Sequence, residues 1–421
     1  MNHKEKISSN IKNIKKKYFF YKILLVLLII FFLLNEETNL LLIYSSLSIK
    51  NIYLHKFFFG DLSGIDLNYK IKGIKFLNKC LKKNIIKKIK EIVKSPKISV
   101  IIPVYNCQNT IKISIKSIQY QKMSEYEIIL INDFSNDKSL QIIKNMQKYD
   151  KRIKVINNQK NMGTLYSRSI GALNAKGKYI FALDNDDIFI NENIFKIIFQ
   201  KAEINDFDIV EFKSFNIPNY YPNTNQIQEG HFPALRTNLI LKQPNLGIFP
   251  ISRNKRYHAN DFLIWGKCIK SLIYKKAVNS LGYERFSKYN IWTEDISIVI
   301  IIFNIAKTYI FLDTFGIFHL RANSTTTHKI TGNHKIISKI YLLDILIDYL
   351  INDYKSKIYT IYLDDTIKSN EIKLLNNKQK QFYKSVLIKI INCKYITSEN
   401  KNKIKLKYLS INNTINKNVK I

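Results

Sequence analysis

Between Ile98 and Leu183 the chain alternates short apolar, β-branched runs with segments of helical spacing, and this alternation constrains the fold more than any other feature. Ile98 to Ile102, Glu127 to Ile131, Ile153 to Asn157 and Tyr179 to Leu183 read as strands. Thr110 to Tyr120, Lys138 to Tyr149 and Thr164 to Ala175 read as the helices between them, the last closed by Gly177. Strands with little polar alternation, each followed by a helix, are expected in βαβ units whose mostly parallel sheet is covered on both faces. In such sheets ligands bind outside the carboxyl ends of the strands. Those ends carry the polar segments Pro103-Val104-Tyr105-Asn106, Asn132 to Asp137 and Asp184-Asn185-Asp186-Asp187.

The last of these segments is an anomaly of charge. The chain has 67 Lys and Arg against 32 Asp and Glu, yet three carboxylates crowd one strand end. Such a cluster at a sheet rim holds Mg²⁺ or Mn²⁺ through oxygen ligands, with a bound phosphate supplying the rest. Acids capping the helix expected from Asn193 fit the same residues, and the cluster alone does not decide between the two.

The formal charge of +35 is spread along the chain as a general enrichment in lysine rather than gathered into a local stripe, which argues against nucleic acid as the partner. Cys80, Cys107, Cys268 and Cys393 form no CxxC pair, so neither a zinc knot nor a disulfide framework is expected. Residues 1–17 read as a basic cytoplasmic tail and 18–34 as a signal-anchor transmembrane helix. That apolar run is short for a span of roughly 20 residues and is broken only by Lys22 near its end. Lys4, Lys6, Lys12, Lys15, Lys16 and Lys17 precede it and Glu36 and Glu37 follow, which predicts a single-pass type II membrane protein, its bulk in the Golgi or ER lumen if the cell is eukaryotic. Residues 35–96 are expected to be a stem, 97–330 the main domain and 331–421 a basic helical C-terminal region.

From about Ile98 to Thr327 the ordered motifs resemble the inverting family 2 glycosyltransferases, which have the GT-A fold. Pro103 to Asn106 is similar to that family's nucleotide-contacting Pro-Val-Tyr-Asn. Ile131 to Asp137 resembles its Val-Asp-Asp-Gly-Ser-Thr-Asp loop, with Asn132 in place of the first Asp and Phe134 in place of the Gly. Asn161-Met162-Gly163 with Arg168 and Gly171 resembles its Asn-x-Gly…Ala-Arg-Asn-x-Gly segment, Leu183 to Asp187 its DxD element, and Trp265-Gly266-Lys267 and Glu294-Asp295 its acceptor-side elements.

The resemblance implies an α/β GT-A domain, with 97–212 holding the nucleotide sugar and 213–330 the acceptor. It implies a nucleotide-diphosphate sugar as donor, Mn²⁺ or Mg²⁺ as cofactor, and a glycan, protein or lipid as acceptor. Pro103, Val104, Tyr105, Asn106 and Asp133 would line the nucleotide, Asp133 accepting hydrogen bonds from the base. Asp184 would reach the ribose or the metal's water shell, Asp186 would ligate the metal, and His319 would approach the metal or diphosphate. Arg168 would face the diphosphate, its other reading being a salt bridge within its own helix. Asp295 would be the general base and Glu294 would orient it or bind acceptor, while Trp265 and Lys267 would contact the acceptor or belong to the core. A processive polysaccharide synthase would need several spanning helices and a Gln-x-x-Arg-Trp motif, and the sequence has neither. Transfer to a polyprenyl phosphate and a catalytically silent sugar-nucleotide or glycan-binding protein stay as alternatives.

Overall fold

The computed structural model describes residues 63–82, 91–229, 240–242, 263–283, 294–321, 332–348 and 375–393, with scattered helical residues from 398 to 409. The chain divides into two compact units, Met1–Ile65 and Asp66–Ile421. The expected anchor at 18–34 lies outside the described residues, among which no helix is long and apolar enough to cross a membrane.

The alternation read from the sequence is present. Strands β1 (Ile98–Val104), β2 (Tyr126–Asn132), β3 (Ile153–Asn157) and β4 (Tyr179–Ala182) pair in parallel, β1 lying between β2 and β4. Helix α2 (Ile111–Gln119) joins β1 to β2, α3 (Ser139–Tyr149) joins β2 to β3, and α4 (Thr164–Asn174) joins β3 to β4. The two-residue period of the strands sorts their side chains between two cores. Val100, Ile102, Ile128 and Leu130 pack with Ile111 and Ile115 of α2 on one face. Ile101, Ile129 and Ile131 pack with Leu165 and Ala172 of α4 on the other. Helix α4 sits unusually close: a Cβ added at Gly171 would lie 2.3 Å from Ile101 Cγ2. Any larger residue there would lift the helix that carries Arg168 away from the sheet.

Beyond β4 the expectation of a mostly parallel sheet fails. The strands β5 (Ile188–Phe189), β6 (Ile209–Ile217), β7 (Gln228–Glu229), β8 (Ile240–Lys242), β9 (Lys267–Lys270) and β10 (Thr308–Leu320) complete a ten-stranded sheet of order β3-β2-β1-β4-β9-β6-β10-β5, with β7 on β6 and β8 on β10. Strand β9 lies between β4 and β6, antiparallel to both, and β5 and β8 run antiparallel to β10. Only β6 with β10 is parallel in this half. The domain is therefore a mixed GT-A-like sheet flanked by helices α5 (Ile194–Ile204), α6 (Ser271–Leu281) and α7 (Glu294–Ile305), with α8 (Gly332–Asp348) and α9 (Asn377–Asn392) joining the core on the α4 face.

Within the span expected to be a stem, helix α1 (Ser63–Leu81) packs on the domain. Leu77 joins the cluster of Phe215, Phe315 and Phe318, and the Phe318 ring lies 2.5 Å from where a Cβ on Gly73 would stand. The buried Lys116 of α2 donates from Nζ to the carbonyls of Cys80 (3.1 Å) and Lys82, placing a cation at the carbonyl end of α1. All four cysteines are free thiols.

Candidate active site

The carboxyl ends of β1, β2 and β4 form the rim on which the polar segments meet. Strand order reverses around β1, because the chain steps outward to β2 and β3 and returns to β4 on its other side. Such a switch opens a crevice at the strand ends.

The β2 end of the rim is held by Asp133. Its backbone N–H donates to the Val104 carbonyl at 2.8 Å, tying the β1 and β2 loops together. Its carboxylate accepts from Asn158 Nδ2 and Met162 N at Oδ1 and from Gly163 N at Oδ2, each at 2.8 Å. The side chain expected to read a base thus spends three of its roughly four acceptor positions on its own chain. Gly163, with φ 89°, stands immediately before α4. Asn132, where the family has Asp, bonds Asn157 Oδ1 on the neighbouring strand at 2.6 Å. Pro103 and Val104 are strand residues, Val104 fully buried, and the Pro103 carbonyl accepts from Asn185 Nδ2 at 3.1 Å. Tyr105 and Asn106 stand exposed on the loop beyond them.

At the β4 end, the three residues expected at one metal site, Asp184, Asp186 and His319, divide into two groups. Asp184 faces Arg168, which reaches Asp184 Oδ1 at 2.5 Å, bonds Asp295 through its other terminal nitrogen and lies 3.7 Å from Glu294 Oε1. Arg168 makes no salt bridge to an acid of its own helix. Instead it joins the acid after β4 to the two acids at the start of α7, and it is 5% exposed while doing so. Its Nε is buried with no hydrogen-bond partner. Burial opposes the arginine's charge, but Asp295, Asp184 and Glu294 outweigh it and its pKa is raised. Burial also raises Asp295, opposed by Arg168 and reinforced by Asp184, and it pushes Glu294 up to about 8, with Asp295 adding to the rise. Asp295 also accepts from Ile264 N at 3.5 Å, just before Trp265 and β9.

Asp186, Asp187 and His319 form the second group. Asp187 is fully buried and accepts from His319 Nδ1 at 2.9 Å and from Leu320 N at 3.1 Å. The His319 ring stacks on Trp265, centroids 4.8 Å apart. Burial works against a charge on His319, but Asp187 raises it to about 9. Asp186 is pushed up to about 7 by burial and by its neighbours Asp187 and Asp184, while its carbonyl accepts from Tyr220 OH at 2.6 Å. His319 thus engages Asp187, a residue to which sequence reasoning gave no role. Its only signal there was its place in the acidic run.

The acceptor-side residues fare differently. Trp265 is 4% exposed and packs under His319, a core position beside the site. Lys267 is fully buried, its Nζ bound to Glu211 at 2.8 Å and to the Leu263 carbonyl at 2.6 Å, while Tyr309 OH donates to the other Glu211 oxygen. Lys267 is therefore a strut between β9 and β6, out of reach of a substrate. Among the described residues, no group of three or more His, Cys, Asp or Glu is arranged to hold a metal by itself.

Residues 99–262 match the family model described as Glycosyl transferase family 2. The chain is 30% identical over 184 residues to the uncharacterized glycosyltransferase EpsJ of Bacillus subtilis, across 43% of this chain and 50% of that protein. It is 33% identical over 124 residues to the glycosyltransferase GlyG of Streptococcus pneumoniae, across 30% and 39% respectively. The chain thus spans about half or less of the length of these relatives. Among solved structures it is similar to residues 1–349 of Staphylococcus aureus TarS in complex with UDP-GlcNAc, with a TM-score of 0.52 and 14% identity over 76% of this chain and 92% of that one. That likeness is one of fold.

Proposed function

Because residues 99–262 match the Glycosyl transferase family 2 model, we propose that this protein moves a sugar from a nucleotide-diphosphate donor to an acceptor hydroxyl with inversion at the anomeric carbon. The observation that carries the proposal is Arg168, which gathers Asp184 and Asp295, far apart in the chain, into one buried constellation at the switch-point rim.

In this reading Asp295 is the general base. Burial raises its proton affinity toward what a base needs, and the pairing with Arg168 opposes that rise. It accepts the acceptor hydroxyl's proton as that oxygen bonds to the anomeric carbon. The bond from that carbon to the diphosphate oxygen breaks, and its electron pair leaves with the nucleoside diphosphate. A single displacement needs a single base, so Glu294 beside it serves to position Asp295 or the acceptor. Asp184, restrained by Arg168, is turned toward the sugar and ribose side of the donor.

The donor set fits a divalent cation shared with the substrate. Asp186 carries a carboxyl that its acidic neighbours make costly to ionise, and a cation relieves that cost. His319, with Nδ1 taken by Asp187, has Nε2 left for a metal or a diphosphate oxygen. One or two carboxylates with diphosphate oxygens are a usual arrangement for Mg²⁺. Mn²⁺ or Mg²⁺ held there would stabilise the charge that builds on the leaving diphosphate.

The test is nucleotide release by the full chain from a panel of nucleotide sugars, beginning with UDP-GlcNAc, the ligand of the TarS complex. Release from one donor class, abolished by EDTA and restored by Mn²⁺, is the expected result. Failure to bind any nucleotide sugar would sink the reading, and metal-independent release would remove the cation from it.

A further inference from the structure

Phe134 occupies the loop position where the resembled motif has glycine, and its backbone lies in the left-handed region at φ 62°. A bulky residue there is disfavoured, whereas glycine bears no such cost. The conformation is imposed by the surroundings. Asp133 is fixed through its N–H and its carboxylate, Asn136 N donates to Asn106 Oδ1 at 2.8 Å, and Asn106 N donates to Ser135 Oγ at 3.2 Å. The ring gains no compensating burial. Phe134 is 49% exposed and joins none of the three apolar cores of the domain.

The same hydrogen bonds lace the β1 and β2 loops side by side, so Phe134 stands on the loop next to that of Tyr105, itself 42% exposed. The acids lie after β4, on the other side of β1. A donor whose diphosphate and sugar meet those acids therefore extends its base toward the two aromatic rings. There Asp133, which the resemblance assigns to the edge of the base, is largely consumed by three donors of its own chain.

We propose that Phe134 is a stacking wall for the donor's nucleobase, so that recognition of the nucleotide in this protein rests on the face of the base more than on its hydrogen-bonding edge. The inference rests on the proposed function above. It assigns a binding role to a side chain that the fold tolerates only at a conformational cost. Stacking on an aromatic ring contributes about 1–3 kcal/mol per base and accepts every base, because each has a π-face.

The experiment is calorimetric titration of the full chain, with Mn²⁺ present, using UDP and inorganic diphosphate as separate probes. Phe134→Gly and Phe134→Asn both suit the left-handed backbone and remove the ring. Each is expected to weaken UDP binding roughly 5- to 150-fold, leave diphosphate binding unchanged, and keep or raise the melting temperature. Phe134→Trp should restore UDP affinity. If the wild type binds UDP and the glycine and asparagine variants bind it equally well, the proposal is overturned and the ring faces something other than a base. Equal weakening of UDP and diphosphate overturns it too, since that marks damage to the loop. If the wild type binds neither UDP nor any other nucleoside diphosphate, the proposal falls together with the function it rests on.

Discussion

Two buried arginines sit about one helix apart in the sequence and live in opposite electrostatic worlds. Arg152, between α3 and β3, meets one carboxylate. Its Nε and one terminal nitrogen bond the two oxygens of Asp150 at 3.0 and 2.8 Å, and its guanidinium lies 4.2 Å over the Tyr126 ring. Asp150 also accepts from Gln119, so the pair is closed and neutral. Arg168 meets three carboxylates from two distant segments, leaves its Nε unbonded, and cannot neutralise what surrounds it. A closed pair tightens the fold. An arginine outnumbered by acids marks a place where the charge can be completed by something the chain does not itself provide, as the proposed function requires of this site.

Removing each partner should separate the two roles. Arg152→Ala strands Asp150 in the core and should cost about 3–5 kcal/mol of stability, as for other broken buried pairs, read by denaturant unfolding. Donor turnover per folded molecule should stay as in the wild type. A variant that keeps its stability but loses turnover would erase the distinction.

The two regions should also respond to pH with opposite sign. Despite burial, Arg152 and Gln119 hold Asp150 below its ordinary 3.8, so it contributes stability above that value that is lost as the pH falls. Glu294, Asp186 and His319 are all raised, from 4.5 to about 8, from 3.8 to about 7 and from 6.5 to about 9. Each binds its proton more tightly folded than unfolded, so each adds stability at low pH that fades as the pH rises through these windows. Without metal, the unfolding midpoint should therefore decline from pH 5 to pH 8, and Mn²⁺ with UDP should recover more of it at pH 8 than at pH 5. A midpoint flat across this range, or equal rescue at both ends, would argue against the crowding of acids at the site.

How much of this the sequence could tell depends on how local each signal is. Strand β3 is found where its run of β-branched residues predicts it, and β1, β2, β4 and helices α2, α3 and α4 within one or two residues, because hydrophobic period and helix punctuation act over neighbours. The insertion of β9 between β4 and β6 depends on pairing across about 90 residues of chain, and no periodicity records it. The same holds within the site. Asp184, Asp186 and Asp295 were legible as residues because acids are scarce in so basic a chain and recur at motif spacing. That Arg168 joins two of them, that His319 turns to Asp187, and that Lys267 is sealed in the core with Glu211 are facts of tertiary contact. Helix α1 falls in the span expected to be a stem, and lysines are mixed with its apolar residues. Lys79, which pairs with Glu192 across the surface, shows how such a helix can dock while keeping its charges at the boundary.

The claim most open to direct attack is that Asp295 takes the acceptor's proton. Asp295→Asn keeps the size of the side chain and leaves Asp184 paired with Arg168, so UDP binding should stay close to wild type by titration. Turnover of the donor with its acceptor should fall by roughly 10²–10⁴, the usual worth of a general base. Wild-type turnover by Asp295→Asn, with the acids after β4 intact, would contradict the account at its centre.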